Sequence, residues 1–477
     1  MSGERGIGVR VEARCVFAGQ FSGNAVAAVL ACLLWLVASP AKAQSDPLIG
    51  VLSATGDAGL GVGSRIEQSM YRDGRTRFDL VPLYMYEGKF VYLHAYRAGL
   101  KLDQKPDRRF DVFISHRFEG FPYDRIPASL AGMAERAPGL DAGMSYQRNG
   151  TWGSAYAEYL HDLSGSSRGS ELRLGYSHRW RSGTLLLSPG LMLALRDAKL
   201  NNYYYGVEAT EAALDRPAYR PGSGVNTRIG LDARYDLSER WRLLAGVAAT
   251  RWASGVRTSP IVDNRLQISG FLGVAYDFEK EQKVWEEHLP LIVRVLDGHE
   301  TDCNLLPVMR LSCTSTSSTN GTKVSAIELG RPFIERLKGW PLDFVGYVGL
   351  LRHTEYGRQP DAWQINAYMK GYYYGFPWSE RVRTRIGFGA GVSYAQRVPY
   401  VEAVDQARRA RNTSKLLNYL DPSIDVSVGD LLGVRTLREA YIGFGVSHRS
   451  GIFASSQMLG NVDGGSNYIY SYAEWKL

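Results

Sequence analysis

The chain has 477 residues, more than one ordinary domain of roughly 100–200 residues holds, and a net charge of +8 at neutral pH. Hydrophobic residues make up 45% and charged residues 22%, a balance that excludes a disordered tail protein. After residue 40 no apolar run approaches the ~18–20 residues of a spanning helix, so a multi-helix membrane protein is excluded too. A barrel, which offers lipid only alternate side chains, is not.

Residues 1–43 read as a signal peptide, with Arg5, Arg10 and Arg14 before the apolar stretch 25–38 and Ala41-Lys42-Ala43 at the cleavage position. A lipobox reading of Val29-Leu30-Ala31-Cys32 competes, but the apolar run continues past the cysteine. Export places the mature chain in an oxidising compartment, where Cys303 and Cys313 are a candidate loop disulfide. Two cysteines alone make a poor metal site and the histidines are scattered, so neither metal nor cofactor is expected. Lysine and arginine are dispersed along the chain, which reads as solvated surface rather than a nucleic-acid footprint.

Period-2 alternation then recurs. In residues 171–180, Leu172, Leu174, Tyr176, His178 and Trp180 share one face, against Glu171, Arg173, Gly175, Ser177 and Arg179 on the other. In residues 227–236, Ile229, Leu231, Ala233 and Tyr235 oppose Arg228, Asp232, Arg234 and Asp236. Many strands with charge on one face and apolar groups on the other favour an all-β, antiparallel transmembrane barrel with a polar lumen. Closure satisfies every backbone group within lipid.

Residues 269–278 alternate Leu272, Val274, Tyr276 and Phe278, the pattern of a barrel-terminating strand, and the charged run Glu279-Lys280-Glu281-Gln282-Lys283 follows. A second strand of this kind closes the chain, with Ile469, Ser471, Ala473, Trp475 and Leu477 on one face. The spacing predicts two barrels in tandem, residues 44–278 and 288–477, joined by a charged linker at 279–287. One large barrel is the competing architecture. Between these landmarks, the Ser/Thr-rich stretch 304–322 reads as a flexible loop, Tyr372, Tyr373, Tyr374 and Trp378 as an aromatic girdle, and Arg408-Arg409-Ala410-Arg411 as a solvated basic loop.

The first half resembles the MipA/OmpV family of outer-membrane proteins. The resemblance is carried by Gly59-Leu60-Gly61-Val62-Gly63, residues 81–88, Tyr203-Tyr204-Tyr205-Gly206-Val207 and Ser259-Pro260-Ile261-Val262-Asp263. It implies a barrel in the bacterial outer membrane and, for some members, a scaffold role around peptidoglycan-remodelling enzymes. The second half resembles the lipid A 3-O-deacylase (PagL-like) family through residues 386–392, 414–419 and His448-Arg449-Ser450. That resemblance implies an ester hydrolase acting on lipid A, with Ser450 as nucleophile and His448 as base.

Strand geometry permits the pair, because residues two apart lie about 6.5–7 Å apart at Cα and point the same way. His448 and Ser450 fall in phase with Ile442, Phe444 and Val446, on the face that reads as lipid-facing. Glu474 is on the other face and about 23 Å down its strand, which excludes it. The deacylase resemblance implies an orienting acid where Asn467 stands, in phase with Ile469 and Trp475, with Asp463 as second candidate. Asparagine can orient an imidazole but cannot stabilise imidazolium with charge. Gly451 stands where the family has asparagine. Three functions follow: an envelope scaffold, an esterase on an outer-membrane lipid, or a passive channel.

Overall fold

The computed structural model describes residues 58–88, 90–121, 126–278, 290–310, 312–316 and 321–477. The signal peptide and the charged linker of the sequence reading lie outside these residues. The described chain builds two antiparallel β-barrels in series.

The first contains β1 (Ala58–Glu67), β2 (Arg77–Glu87), β3 (Val91–His94), β4 (Arg97–Lys105), β5 (Arg108–Arg117), β6 (Gly139–Gly150), β7 (Gly153–Asp162), β8 (Ser170–Ser177), β9 (Trp180–Ser182), β10 (Leu185–Arg196), β11 (Gly224–Asp236), β12 (Trp241–Arg251) and β13 (Leu266–Asp277). β8 and β9 both pair with β10 and are one interrupted stave, so the ring has twelve positions. β13 closes on β1 and β10 pairs with β11. The second barrel has eight strands: β14 (Ile292–Glu300), β15 (Lys323–Ile334), β16 (Leu342–Thr354), β17 (Ala362–Tyr373), β18 (Thr384–Ala395), β19 (Leu416–Ser427), β20 (Ala440–Ser450) and β21 (Asn467–Lys476). Here β21 closes on β14. The two strands with terminating patterns thus each return to the first strand of their own ring, and one large barrel is excluded.

The alternation in sequence becomes the inside and outside of each wall. Leu172, Leu174, Tyr176, Ile229, Leu231, Ile327, Leu329, Ile442 and Phe444 are exposed, while Glu171, Asp232, Arg234, Arg294, Glu328 and Glu474 are buried. An apolar outer band around a charged interior is what hydrocarbon on one side and a sealed lumen on the other require. No described helix is long and apolar enough to cross a membrane.

Two expectations need correction. Tyr372 does not belong to an interfacial girdle: it is 1% exposed and its hydroxyl donates to Glu474 inside the barrel at 3.1 Å. Its out-of-phase neighbour Tyr373 and Trp378 are exposed, and Tyr374 is half-buried. Val446 is likewise not open to lipid. It packs with Cys303 and Val308, because the segment after β14 folds back over the outer wall.

Candidate functional site

His448 and Asn467 are opposite each other on β20 and β21, which brings a base and an amide together from residues 19 apart. The imidazole Nδ1 lies 2.6 Å from Asn467 Oδ1. The amide's own Nδ2 donates to the Cys303 carbonyl at 3.0 Å, and this fixes which end of Asn467 faces the histidine. Oδ1 can only accept, so the contact calls for a proton on Nδ1. In the neutral imidazole the basic nitrogen would then be Nε2, on the side of the ring away from Asn467.

Ser450 is in place on the same strand but is not engaged. Its Oγ accepts the Ile452 N–H at 3.2 Å, and no hydrogen bond joins it to His448 among the described residues. The Gly451 N–H donates to the Gly464 carbonyl at 3.2 Å. Arg449, between the two, points inward and pairs with Glu402 at 2.8 Å. Asp463 is drawn off by Arg411 at 2.9 Å, and Glu474 sits in the lumen against Arg385 at 2.7 Å, so neither meets His448. Arg409 likewise pairs with Asp405.

No pattern in the residues announces what covers this face. Cys303 and Cys313 are disulfide-bonded with Cα atoms 5.8 Å apart, and the enclosed turn includes a short helix, Leu305–Met309. The turn buries Val446 and packs on Ile469, so it roofs the wall beside His448 and Asn467. Opening the ring with Cys303→Ser/Cys313→Ser is expected to raise protease cleavage within residues 301–316 at least tenfold. The barrel, whose hydrogen bonds do not involve the bridge, should keep its folded gel mobility.

The lumen of the second barrel is filled, and that of the first is crossed by ion pairs. In the second barrel the fully buried Arg294 lies 3.2 Å from Asp421 and 3.3 Å from Glu328, and Lys370 reaches Asp421 at 2.8 Å. Tyr347, Tyr368, Tyr372 and Tyr470 complete the network with their hydroxyls. In the first barrel Arg117 binds Asp141 at 2.8 Å and Glu171 at 2.7 Å, and Arg97 binds Glu158 at 2.7 Å.

One end of the first barrel is capped by two of the segments that carry its family resemblance, residues 203–207 and 259–263. Ser259 Oγ donates to the Tyr205 carbonyl at 2.6 Å, and Tyr71 donates to the Tyr204 carbonyl at 3.0 Å. Around them Leu130, Leu200, Val256 and Ile261 are fully buried. Arg136 anchors the cap to Glu211 at 2.6 Å. Burial alone would raise the Glu211 pKa, but the hydrogen bonds from Arg136 and from the Ala134 and Glu208 N–H groups outweigh it and hold it below the usual carboxylate range. The contribution to stability is therefore present above the unfolded carboxyl pKa of about 4.3 and is lost as pH falls through the lower folded value. Acidification below about pH 4 is expected to speed proteolysis of the cap, and Glu211→Gln to abolish that pH dependence.

Among the described residues no group of three or more His, Cys, Asp and Glu side chains could hold a metal ion. Residues 60–278 match the family model described as MltA-interacting protein MipA. The outer membrane protein OmpV of Vibrio cholerae is 31% identical over 160 residues, 33% of this chain and 62% of that protein. The chain thus spans about 62% of the length of such relatives. The MltA-interacting protein of Escherichia coli is 25% identical over 231 residues, 48% of this chain and 93% of that protein. A solved ferric citrate transporter, FecA, aligns at 10% identity with a TM-score of 0.23, covering 88% of this chain and 79% of the transporter, a likeness too low to argue from. Relatives named as outer membrane proteins, together with the barrels, place the protein in the bacterial outer membrane.

Proposed function

We propose that this outer-membrane protein of MipA/OmpV type is an envelope scaffold whose first barrel holds a peptidoglycan-remodelling enzyme at the membrane. The reading rests on the match of residues 60–278 to a family described by its interaction with MltA. Buried ion pairs across both lumens, joined by tyrosines in the second, favour it over a passive channel. The test is saturable binding of a purified MltA-type enzyme to the immobilised full chain. A complex of micromolar affinity or tighter is expected, and absence of binding overturns the scaffold.

The second barrel carries a second reading, hydrolysis of an ester-linked acyl chain of lipid A, favoured by the 2.6 Å His448–Asn467 contact beside Ser450 on the outer wall. Ser450 leaves the Ile452 N–H and passes its proton to His448 Nε2 as Oγ bonds to the ester carbonyl carbon. The carbon–oxygen bond to the sugar then breaks, and the imidazolium returns the proton to the departing hydroxyl. Water, deprotonated by the same histidine, then adds to the acyl carbon; the bond to Ser450 Oγ breaks, the imidazolium returns the proton to Oγ, and the fatty acid leaves. Asn467 orients the ring without a charge, so turnover is slow compared with an acidic triad. Lipid A from cells expressing the wild type is expected to lose one acyl chain, and Ser450→Ala to abolish that loss. Identical mass spectra overturn the esterase.

A further inference from the structure

The wall of the first barrel is incomplete. β2 pairs with β1 from Arg77 to Tyr86 but with β3 only over Met85–Glu87. The β3–β4 hairpin that separates β2 from β5 stops at residues 95 and 96, so residues 77–83 of β2 and the end of β5 have no strand between them. The second barrel supplies what is missing. Leu80 donates its N–H to the Ser455 carbonyl at 2.9 Å, as it would to a neighbouring strand. The Gln457 N–H donates to the Asp79 carboxylate, and Gln457 Nε2 to the Phe118 carbonyl at 3.3 Å. Met458, Leu459 and Val462 are buried there, against Tyr96 and Phe118.

These residues belong to the β20–β21 loop. Its entry is held in an unusual shape, with Ile452, Phe453 and Ala454 at φ of 55°, 54° and 55°. Left-handed backbone at three successive non-glycine residues persists only where surrounding contacts enforce it, and such segments favour switching elements.

Behind the loop lies a cavity of about 200 Å³, bordered by Arg65, Arg117, Glu171, Arg228, Tyr96 and Phe118. Tyr96 and Phe118 therefore touch the cavity on one side and the loop on the other. Most cations there are neutralised, Arg65 by Glu67, Arg117 by Asp141 and Glu171, and Arg196 by Glu119. Arg228 makes no ion pair among the described residues, and its Nε is buried without a hydrogen-bond partner.

We infer that the β20–β21 loop is a lateral gate, and that the cavity takes the anionic headgroup of a single-chain membrane amphiphile entering between β2 and β5. The headgroup meets Arg228, whose guanidinium suits a phosphate oxygen pair. The acyl chain occupies the apolar lane that Met458, Leu459 and Val462 fill when the gate is shut. This inference stands apart from both readings of function above, since it needs neither an enzyme partner nor Ser450.

Native mass spectrometry of the full chain in a neutral detergent tests it, with 1-oleoyl lysophosphatidylglycerol and glycerol 3-phosphate as probes. One lysolipid is expected per chain, with Arg228→Gln weakening it at least tenfold and glycerol 3-phosphate binding at least a hundredfold more weakly. Leu80→Cys/Ser455→Cys places thiols on two residues whose backbones share the 2.9 Å hydrogen bond, so that a disulfide between them would hold the loop shut. Oxidised, this variant should take up lysolipid at least tenfold more slowly, with the rate restored by a reductant that leaves wild-type uptake unchanged. Equal affinity in Arg228→Gln overturns the headgroup site. Equal binding of glycerol 3-phosphate makes it a small-anion site reached from water, and an unchanged rate in the locked variant removes the gate.

Discussion

Asp421→Ala is expected to lower the stability of the second barrel by about 3–5 kcal/mol, the range found when one partner of a buried ion network is removed. The Asp421 carboxylate accepts from Arg294 at 3.2 and 3.4 Å, from Lys370 at 2.8 Å and from Tyr470, and none of these side chains reaches solvent. Without it two cations face each other in the lumen, with Glu328 at 3.3 Å from Arg294 as the remaining close acid. Desolvated charge of that kind costs more than the lost hydrogen bonds. The measurement is the urea midpoint at which the heat-modifiable band on an unheated gel is lost. Asp421→Asn should lie near Asp421→Ala, since shape is kept and charge is not. Lys370→Met added to Asp421→Ala should recover part of the loss, because it removes one unpaired cation; strict additivity would mean the residues do not form one network.

Tyr205→Ala is expected to cost the cap of the first barrel about 3–5 kcal/mol, as large aromatic truncations in packed cores do. The Tyr205 ring is stacked 5.6 Å from Tyr71, sits edge-on to Trp252 at 5.1 Å and lies 5.9 Å from the Arg196 guanidinium. Its carbonyl accepts from Ser259, so the ring and the backbone hold different loops. The cap can open without breaking the ring of strands. The effect should therefore appear as rapid proteolysis within residues 197–223 while the folded gel mobility is retained. Loss of folded mobility at the same rate would instead make the cap part of the barrel's cooperative unit.

The strand phases were legible in the residues themselves. Leu172 and Leu174 point out and Glu171 points in because side-chain direction along a strand has period two and the outer solvent is hydrocarbon. The two terminating strands, ending at Phe278 and Leu477, likewise announced two rings. The deacylase resemblance pairs His448 with Asn467, and the strand register is what sets them opposite each other. The girdle assignment failed where three tyrosines run in succession: phase alone assigns alternate rings to opposite faces, and only the lumenal partner Glu474 shows which one is buried.

What a sequence of this kind determines by itself is local: the alternation, the turns between strands, and therefore a barrel with charge inside. Tertiary structure decided which charges meet, since Arg294 and Asp421 stand 127 residues apart and face each other only once strand tilt and register are set. It also decided that Cys303 roofs the wall beside His448, and that residues 455–462 pack against the other barrel beside β2. Neither leaves a periodic trace, because an irregular loop is positioned by the surface it packs against, not by any repeat of its own.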